Sequence, residues 1–238
     1  MSNTAVMSET RPEFDSYAQN YDAALQQGLA VSGESKEYFA EGRVTFLQKC
    51  LTRLRHSPAR ALDFGCGTGT SVPLLHALPG MSFVQGIDLS SESIAQAQQA
   101  HGHSQRRFQP LGDYQPDGSF DLVFCNGVFH HIPLDQRAQA IKTIYDSLKP
   151  GGIFALWENN PWNPATRYVM SRIPFDKDAI TLTPHQSREL VRAGGLQVLR
   201  TDYLFIFPRM LKWLRPVEQA ITSWPVGTQY QVLCRKTA

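Results

Sequence analysis

A glycine-rich turn between an apolar run and a helical pattern is the feature that most constrains this chain of 238 residues. In residues 61–70, Gly65, Gly67 and Gly69 alternate with small residues. Glycine has no Cβ, so the chain can turn sharply there and a ligand can approach the backbone. The free N–H groups at the start of the following helix then face that ligand. A strand, a glycine-rich turn and a helix in this order are typical of a nucleotide-cofactor site.

The spacing of the glycines separates two kinds of cofactor. A dinucleotide fingerprint is G-x-G-x-x-G, but here the third glycine is Gly69 and Thr70 stands in the next position, so the register differs. Asp63 precedes the turn, and a second apolar run ends in Asp88 about 20 residues after it. The two oxygens of Asp88 can accept hydrogen bonds from both hydroxyls of a ribose.

Four blocks of the sequence resemble the class I S-adenosylmethionine-dependent methyltransferases. They lie at residues 62–69, 86–90, 120–126 and 148–152, in the order and at the spacings of that family. The resemblance covers about residues 60–155. It implies S-adenosylmethionine as cofactor and a Rossmann-like α/β fold of about seven strands. The sheet would be mostly parallel with an antiparallel last strand, and helices would cover both faces.

The resemblance also implies a set of cofactor contacts. Asp63 is expected to reach the amino group of the methionine part, directly or through water. Asp113 is expected at the adenine, although a plain loop acid is the alternative. Asn126 and Gly127 should offer backbone contacts. The complete expected set is Tyr21, Arg43, Asp63, Gly65, Cys66, Gly67, Thr68, Gly69, Asp88, Leu89, Asp113, Tyr114, Asn126 and Gly127.

The N-terminal part of the chain reads as a disordered stretch followed by a helical lid. Residues 1–12 are polar, and residues 14–55 are mostly helical in pattern. Tyr17 and Tyr21 lie on one aromatic face, which the resemblance places over the cofactor, whereas core packing is the alternative. Arg43 could bind the cofactor carboxylate or could be an exposed helix charge.

Two adjacent histidines, His130 and His131, follow the predicted fourth strand. A neutral imidazole can accept a proton near pH 7, and His131 is the preferred candidate for a general base. The alternative is that one histidine caps the next helix. His101 and His103 lie in a glycine-containing turn, which favours an exposed loop over a metal site, and no metal is predicted.

Residues 158–183 form an irregular, proline-rich insertion on the expected substrate side. The residues expected to border the substrate are Trp157, Glu158, Asn159, Asn160 and Trp162. Together with Tyr168, Phe175, Phe205 and Phe207 they could line an aromatic pocket, although aromatic residues more often fill a core.

Composition limits the class of protein. Hydrophobic residues make up 42% and charged residues 18%, as in an ordinary globular domain, and the net charge of +2 argues against nucleic acid as a partner. The four cysteines form no C-x-x-C pair, and we expect reduced thiols in a cytoplasmic protein. No segment resembles a signal peptide or a membrane span. We therefore expect one domain over residues 1–238, with a homodimer left open.

The expected function is transfer of a methyl group to a small molecule, with a hydroxyl oxygen as the first choice of acceptor because a histidine suits its deprotonation. One alternative is a lipid-linked acceptor, since residues 203–215 mix large apolar and basic side chains. The plainer interpretation of that segment is a strand followed by an amphipathic helix. A second alternative is a non-catalytic module that binds S-adenosylmethionine.

Overall fold

A seven-stranded sheet organises the structure, a computed structural model that describes residues 32–173, 176 and 179–237. The strand order is β3-β2-β1-β4-β5-β7-β6. Strands β1 to β5 run parallel, and β7 is antiparallel to both of its neighbours. The strands are β1 (Arg60–Phe64), β2 (Phe83–Asp88), β3 (Arg106–Pro110), β4 (Phe120–Asn126), β5 (Leu148–Asn159), β6 (Leu196–Leu204) and β7 (Gln229–Lys236). The predicted fold class is confirmed.

Helices pack against both faces of this sheet and create two hydrophobic cores. One core contains apolar residues of the first three helices, and the other contains apolar residues of the fourth and sixth. The helices are α1 (Lys36–Arg53), α2 (Ser71–His76), α3 (Ser91–His101), α4 (Arg137–Ser147), α5 (Pro164–Met170), α6 (Pro184–Ala193) and α7 (Arg215–Glu218). Since both faces are covered, the central strands are buried and read as continuous apolar runs.

Parallel strands end at the same edge, and this places the candidate site. Residues that follow β1, β2, β4 and β5 all emerge at the carboxyl edge of the sheet. Open α/β sheets bind their ligands at this edge. The glycine turn, Asp88, the histidine pair and the start of the insertion are therefore brought to one side of the molecule.

The structure differs from the sequence prediction in several local details. Strand β5 already begins at Leu148, and α4 begins after Gln136, which makes no side-chain capping hydrogen bond. The expected amphipathic helix after β6 is wrong. Residues Arg209–Leu214 form a 3-10 helix whose Met210 and Trp213 side chains are 82% and 72% exposed.

Part of the predicted lid is described. Helix α1 agrees with the expected helix in the second half of residues 14–55. Tyr17, Tyr21 and residues 1–12 lie outside the described residues, as does Phe175 in the insertion. Among the described residues, no helix is both long enough and apolar enough to cross a bilayer.

Candidate functional site

Backbone hydrogen bonds tie the glycine turn to the end of β2. The N–H groups of Gly65 and Cys66 donate to the Ile87 carbonyl at 2.8 and 3.0 Å. The N–H of Gly67 donates to Asp88 Oδ2 at 2.8 Å. The turn and the acidic end of β2 therefore form one rigid unit.

The three glycines of the turn have different tasks. All three have positive φ angles, +74° at Gly65, +51° at Gly67 and +82° at Gly69. A Cβ at Gly65 would lie 2.3 Å from Val128, and one at Gly69 would lie 2.9 Å from Phe108. At Gly67, no described atom apart from its immediate chain neighbours lies within 4 Å of such a Cβ. Gly65 and Gly69 are thus needed for packing, while Gly67 borders open space that a ligand can approach.

Asp88 combines a structural task with spare acceptor capacity. Its Oδ2 accepts from Gly67, its Oδ1 accepts from the Ser90 N–H at 2.9 Å, and the side chain is half-buried. A carboxylate offers about four lone-pair sites, so both oxygens can accept further hydrogen bonds. Pairing with ribose hydroxyls is compatible with this arrangement and stays a prediction.

Asp63 is a buried carboxyl group in need of a positive partner. It is 2% exposed, and its Oδ2 has no hydrogen-bond partner among the described residues. Burial, reinforced by the negative charge of Asp88, raises its pKa to about 8, while the charge of Arg43 acts in the opposite direction. An ammonium group would satisfy the orphaned oxygen and stabilise the ionised form. The residues present therefore fit the amino group of S-adenosylmethionine.

Arg43 is not the exposed helix charge that one interpretation expected. It is 7% exposed on α1, and its Nη1 donates to Gln229 Oε1 on β7 at 3.0 Å. Its guanidinium also acts electrostatically on Asp63. A contact with the cofactor carboxylate stays a prediction.

The remaining expected cofactor residues differ in their burial and in their hydrogen bonds. Thr68, Leu89 and Asn126 are half-buried, Cys66 is buried, and the Gly127 N–H donates to the Trp157 carbonyl at 2.9 Å. Asp113 is exposed on the turn after β3. Tyr114 lies in the core with its hydroxyl donating to Ser147 at 2.8 Å, so only its backbone is available to a ligand. Tyr21 lies outside the described residues.

A second group of side chains lies at the ends of β4 and β5. His130 Nδ1 lies 2.6 Å from Glu158 Oε2, and Glu158 Oε1 accepts from the Phe129 N–H at 2.8 Å. On the other side, Asp176 Oδ1 lies 3.5 Å from His130 Nε2 and 3.3 Å from His131 Nε2. We call His130, His131, Glu158 and Asp176 the acceptor-side cluster.

The two histidines of the cluster differ in their burial, and His130 has the more strongly charged surroundings. Burial lowers the pKa of His130, but Glu158 and Asp176 outweigh it and raise this pKa to about 10. Burial also raises the pKa of Asp176, and hydrogen bonds and charges from the two histidines bring it below its usual value. His130 is therefore charged at neutral pH and has a carboxylate beside each ring nitrogen. This leaves His131, whose side chain is 16% exposed, as the better candidate for contact with an acceptor.

Sequence reasoning gave Asp176 no role, and it assigned Glu158 only a place at the border of the substrate. The carboxyl end of a parallel strand was a usable signal for Glu158. Asp176 lies in the irregular insertion, where no periodicity fixes its position. Trp157 and Asn160 are fully buried and structural: Trp157 packs against Phe46, and Asn160 donates to the Gly227 carbonyl at 2.8 Å.

The strand order, the glycine turn and Asp88 at the end of β2 define a class of protein. A family profile described as a methyltransferase domain matches residues 62–154, which include most of β1, the turn and β2 to β4. Over residues 62–154 the chain therefore resembles a methyltransferase domain, and its strand order agrees with the Rossmann-like fold expected for the class I S-adenosylmethionine-dependent methyltransferases.

Individual relatives agree with this class. The chain is 27% identical over 178 residues to trans-aconitate 2-methyltransferase of Escherichia coli O1:K1, covering 70% of this chain and 65% of the relative. A methyltransferase from Thermotoga maritima superimposes with a TM-score of 0.65 at 16% identity, covering 94% of this chain and 98% of that one. Phosphoethanolamine N-methyltransferase 2 of Haemonchus contortus, solved with S-adenosyl-L-methionine, gives 0.53 at 17% identity over 76% and 49% of the two chains. The chain thus spans about two thirds of the length of its curated relative.

Proposed function

We propose that this chain transfers the methyl group of S-adenosylmethionine to a hydroxyl oxygen of a small-molecule acceptor. The observation that supports this is the placement of His131 and Asp176 at the same sheet edge as the Gly67 opening and the orphaned oxygen of Asp63. A proton-accepting pair and a cofactor cleft then border one space. Holding two reactants in line is the main task of a methyltransferase, because few catalytic groups are needed.

The chemistry of the acceptor explains the need for His131. When bound, S-adenosylmethionine supplies an electrophilic methyl group, whose bond to sulfur breaks as the acceptor oxygen bonds to carbon. A hydroxyl is a weak nucleophile until its proton is removed. The His131 ring can take that proton, and the Asp176 carboxylate, 3.3 Å from its Nε2, would stabilise the resulting imidazolium.

The charge of the cluster favours a hydroxyl over a carboxylate acceptor. A carboxylate is already nucleophilic and needs no base. Glu158 and Asp176 are 1% and 8% exposed, and their negative charges oppose a third carboxylate in a space of low dielectric constant. The curated relatives are named for trans-aconitate, a tricarboxylic acid, so a carboxyl oxygen is the competing acceptor.

A product test separates these acceptors. The chain is incubated with methyl-labelled S-adenosylmethionine and, in parallel, with a phenol, a sugar alcohol and trans-aconitate, followed by mild alkali. A methyl ether survives alkali, whereas a methyl ester releases labelled methanol. We expect the label to stay in the product after alkali. If label is transferred only to the carboxylic acid and is then released by alkali, the acceptor is a carboxyl oxygen and the hydroxyl proposal is wrong.

The acceptor-side histidine has its own test. We expect His131→Ala to lower turnover about 100-fold while S-adenosylmethionine affinity stays within about twofold, because the ring acts on the acceptor. His103→Ala is the matched control, since His103 is an exposed histidine outside the cluster. Unchanged turnover in His131→Ala would remove this residue from the reaction.

A lipid-linked acceptor is the second candidate, favoured by the exposure of Met210 and Trp213 beside basic Lys212. Side chains of this kind insert at membrane surfaces. Co-sedimentation with anionic vesicles, compared between wild type and a Met210→Ser and Trp213→Ser double variant, tests it. Equal pelleting of the two proteins would count against this candidate.

A further inference from the structure

Three potential metal-ligand atoms converge in the acceptor-side cluster. One ring nitrogen of His130, one of His131 and a carboxylate oxygen of Asp176 all lie within 4.8 Å of one another. The two histidine–aspartate separations, 3.5 and 3.3 Å, exceed the roughly 2.7–2.9 Å of a charge-assisted hydrogen bond. They agree with the separation of about 3.3 Å between two ligands of a tetrahedral ion with bonds of about 2.0–2.1 Å.

Glu158 supports His130 in the way that a metal site requires. Metal-bound histidines usually donate their second ring N–H to a carboxylate, which fixes the ring and its tautomer. Here Glu158 Oε2 lies 2.6 Å from His130 Nδ1, so Nε2 is the nitrogen turned toward Asp176. Glu158 is itself held by the Phe129 N–H at 2.8 Å. The carboxylate support that a metal-bound histidine requires is therefore present for His130.

The charge of the cluster also suits a cation. Glu158 and Asp176 bring two negative charges into a buried space, and the single positive charge of His130 balances only one of them. One divalent ion would balance both carboxylates and leave the two imidazoles neutral, which is the form that binds metals. Two nitrogen ligands and one oxygen ligand favour zinc and its neighbours over magnesium or calcium.

We propose that His130, His131 and Asp176 bind a divalent transition-metal ion, of which zinc is the best fit, with a fourth position open toward the acceptor. The sequence patterns predict no metal, so this site departs from that expectation. The inference rests on the proposed function in one respect: the acceptor hydroxyl would take the open position. Coordination acidifies a hydroxyl, whose proton then passes to solvent. His131 would then be a ligand and not the base.

Cobalt binding tests the site without relying on activity. Chelator-treated protein is titrated with Co²⁺, followed by visible absorption, and zinc content after zinc exposure is measured by elemental analysis. We expect one ion per wild-type chain. Asp176→Asn should weaken binding by about 100-fold or more because a ligand is lost, and Glu158→Gln by about 10–100-fold because only the support is lost. The His103→Ala variant should bind Co²⁺ as the wild type does, and this result would show that the exposed histidine does not contribute to Co²⁺ binding.

Three outcomes would overturn the metal site: no Co²⁺ absorption in wild type, equal affinity in Asp176→Asn, or loss of binding in His103→Ala. S-adenosylmethionine affinity reports on the fold of each variant, and His131→Gln replaces Asp176→Asn if that variant does not fold. Full methyl transfer by metal-free protein would show that the ion has no part in the reaction, and it would leave the proposed function intact. Stoichiometric Co²⁺ binding by a chain that methylates no acceptor would refute the proposed function and leave the metal site.

Discussion

The glycine turn, which we propose as the cofactor side, and the acceptor-side cluster are built in different ways. The cofactor side uses backbone: three glycines with positive φ angles, and N–H groups that bind the Ile87 carbonyl and Asp88. The acceptor side uses side chains from β4, β5 and the insertion, which meet only in the folded state. Backbone requirements leave a contiguous trace in sequence, whereas a cluster of side chains depends on topology. The same difference predicts how each side responds to mutation.

The largest effect is expected on the cofactor side. Gly67→Val should abolish S-adenosylmethionine binding, about 1000-fold or more, because a branched side chain would fill the space that borders the turn. The added side chain should not clash with the protein itself, because no described atom beyond the chain neighbours lies within 4 Å of a Cβ at Gly67. Isothermal titration calorimetry measures the affinity.

Gly151→Val is the matched control for this substitution. Gly151 also has a positive φ, +77°, and open space around the added Cβ, but it lies on β5 near its start, away from the cofactor cleft. Both variants should lose about 1–2 kcal/mol of stability through the left-handed backbone. Normal cofactor binding by Gly67→Val would place the ligand elsewhere.

On the acceptor side the next largest effect is one of stability. His130→Ala should destabilise the fold by about 3–5 kcal/mol, because it leaves Glu158 and Asp176 as uncompensated buried charges. Urea unfolding measures the loss. Adding Glu158→Gln to His130→Ala should recover part of the lost stability, because it removes one of the two buried negative charges. A His130→Ala protein as stable as wild type would show that the two carboxylates do not depend on this ring.

The stability of the protein should depend on pH through the buried carboxyl group of Asp63. Its folded pKa of about 8 lies above its ordinary value of 3.8, so its contribution to stability is full below pH 4 and is lost as pH rises through 8. Asp63→Asn should therefore stabilise the ligand-free protein, by up to about 1.4 kcal/mol per pH unit across that window. The same variant should bind S-adenosylmethionine about 10–100-fold more weakly, because a charge-assisted hydrogen bond is lost. Unfolding at pH 5, 7 and 9 with calorimetry at pH 7 measures both effects.

Asp121 provides a control of opposite sign. Burial would raise the pKa of Asp121, but hydrogen bonds from Lys149 and from the backbone of Arg60 and Ala59 lower it below its usual value. Its contribution is present above pH 4 and is lost as pH falls through the lowered pKa. Asp121→Asn should thus weaken the fold at neutral pH. Parallel stability curves for wild type and Asp63→Asn would contradict the buried-carboxyl interpretation.

The smallest effect is expected at the adenine end. Asp113 is exposed, so Asp113→Ala should reduce S-adenosylmethionine affinity only about fivefold, the value of one ordinary hydrogen bond. Asp117→Ala removes another exposed acid downstream of the same turn and should have no effect. Equal affinities of the two variants would make Asp113 a plain loop acid.

Most of the fold could be predicted from sequence. The sequence predicts strands at residues 83–88, 120–126 and 229–236, and β2, β4 and β7 have these bounds. Strand β5 is longer than predicted because Pro150 and the two following glycines suggest a stop, while Leu148 already pairs with Phe120. The segment from Arg209 to Leu214 was mistaken for an amphipathic helix because its apolar spacing is helical, although those side chains are exposed.

The site could be predicted only in part. The position of Gly67 and its link to Asp88 follow from one turn and the strand beside it, and both residues were expected to bind cofactor. The pairing of His130 with Glu158, far along the chain, requires knowledge that β4 and β5 are neighbours. Asp176 could not be found, because a long-range contact from an irregular segment leaves no pattern in the sequence.

The position of β7 has a consequence for how the molecule assembles. It occupies the slot between β5 and β6, although it follows both along the chain. Until β7 is inserted, β5 and β6 each present an unpaired edge rich in buried apolar residues, among them Phe154, Leu156 and Tyr203. Open edges of this kind recruit strands from other chains. Chains in which β7 is not yet paired are therefore the species that we expect to aggregate most readily.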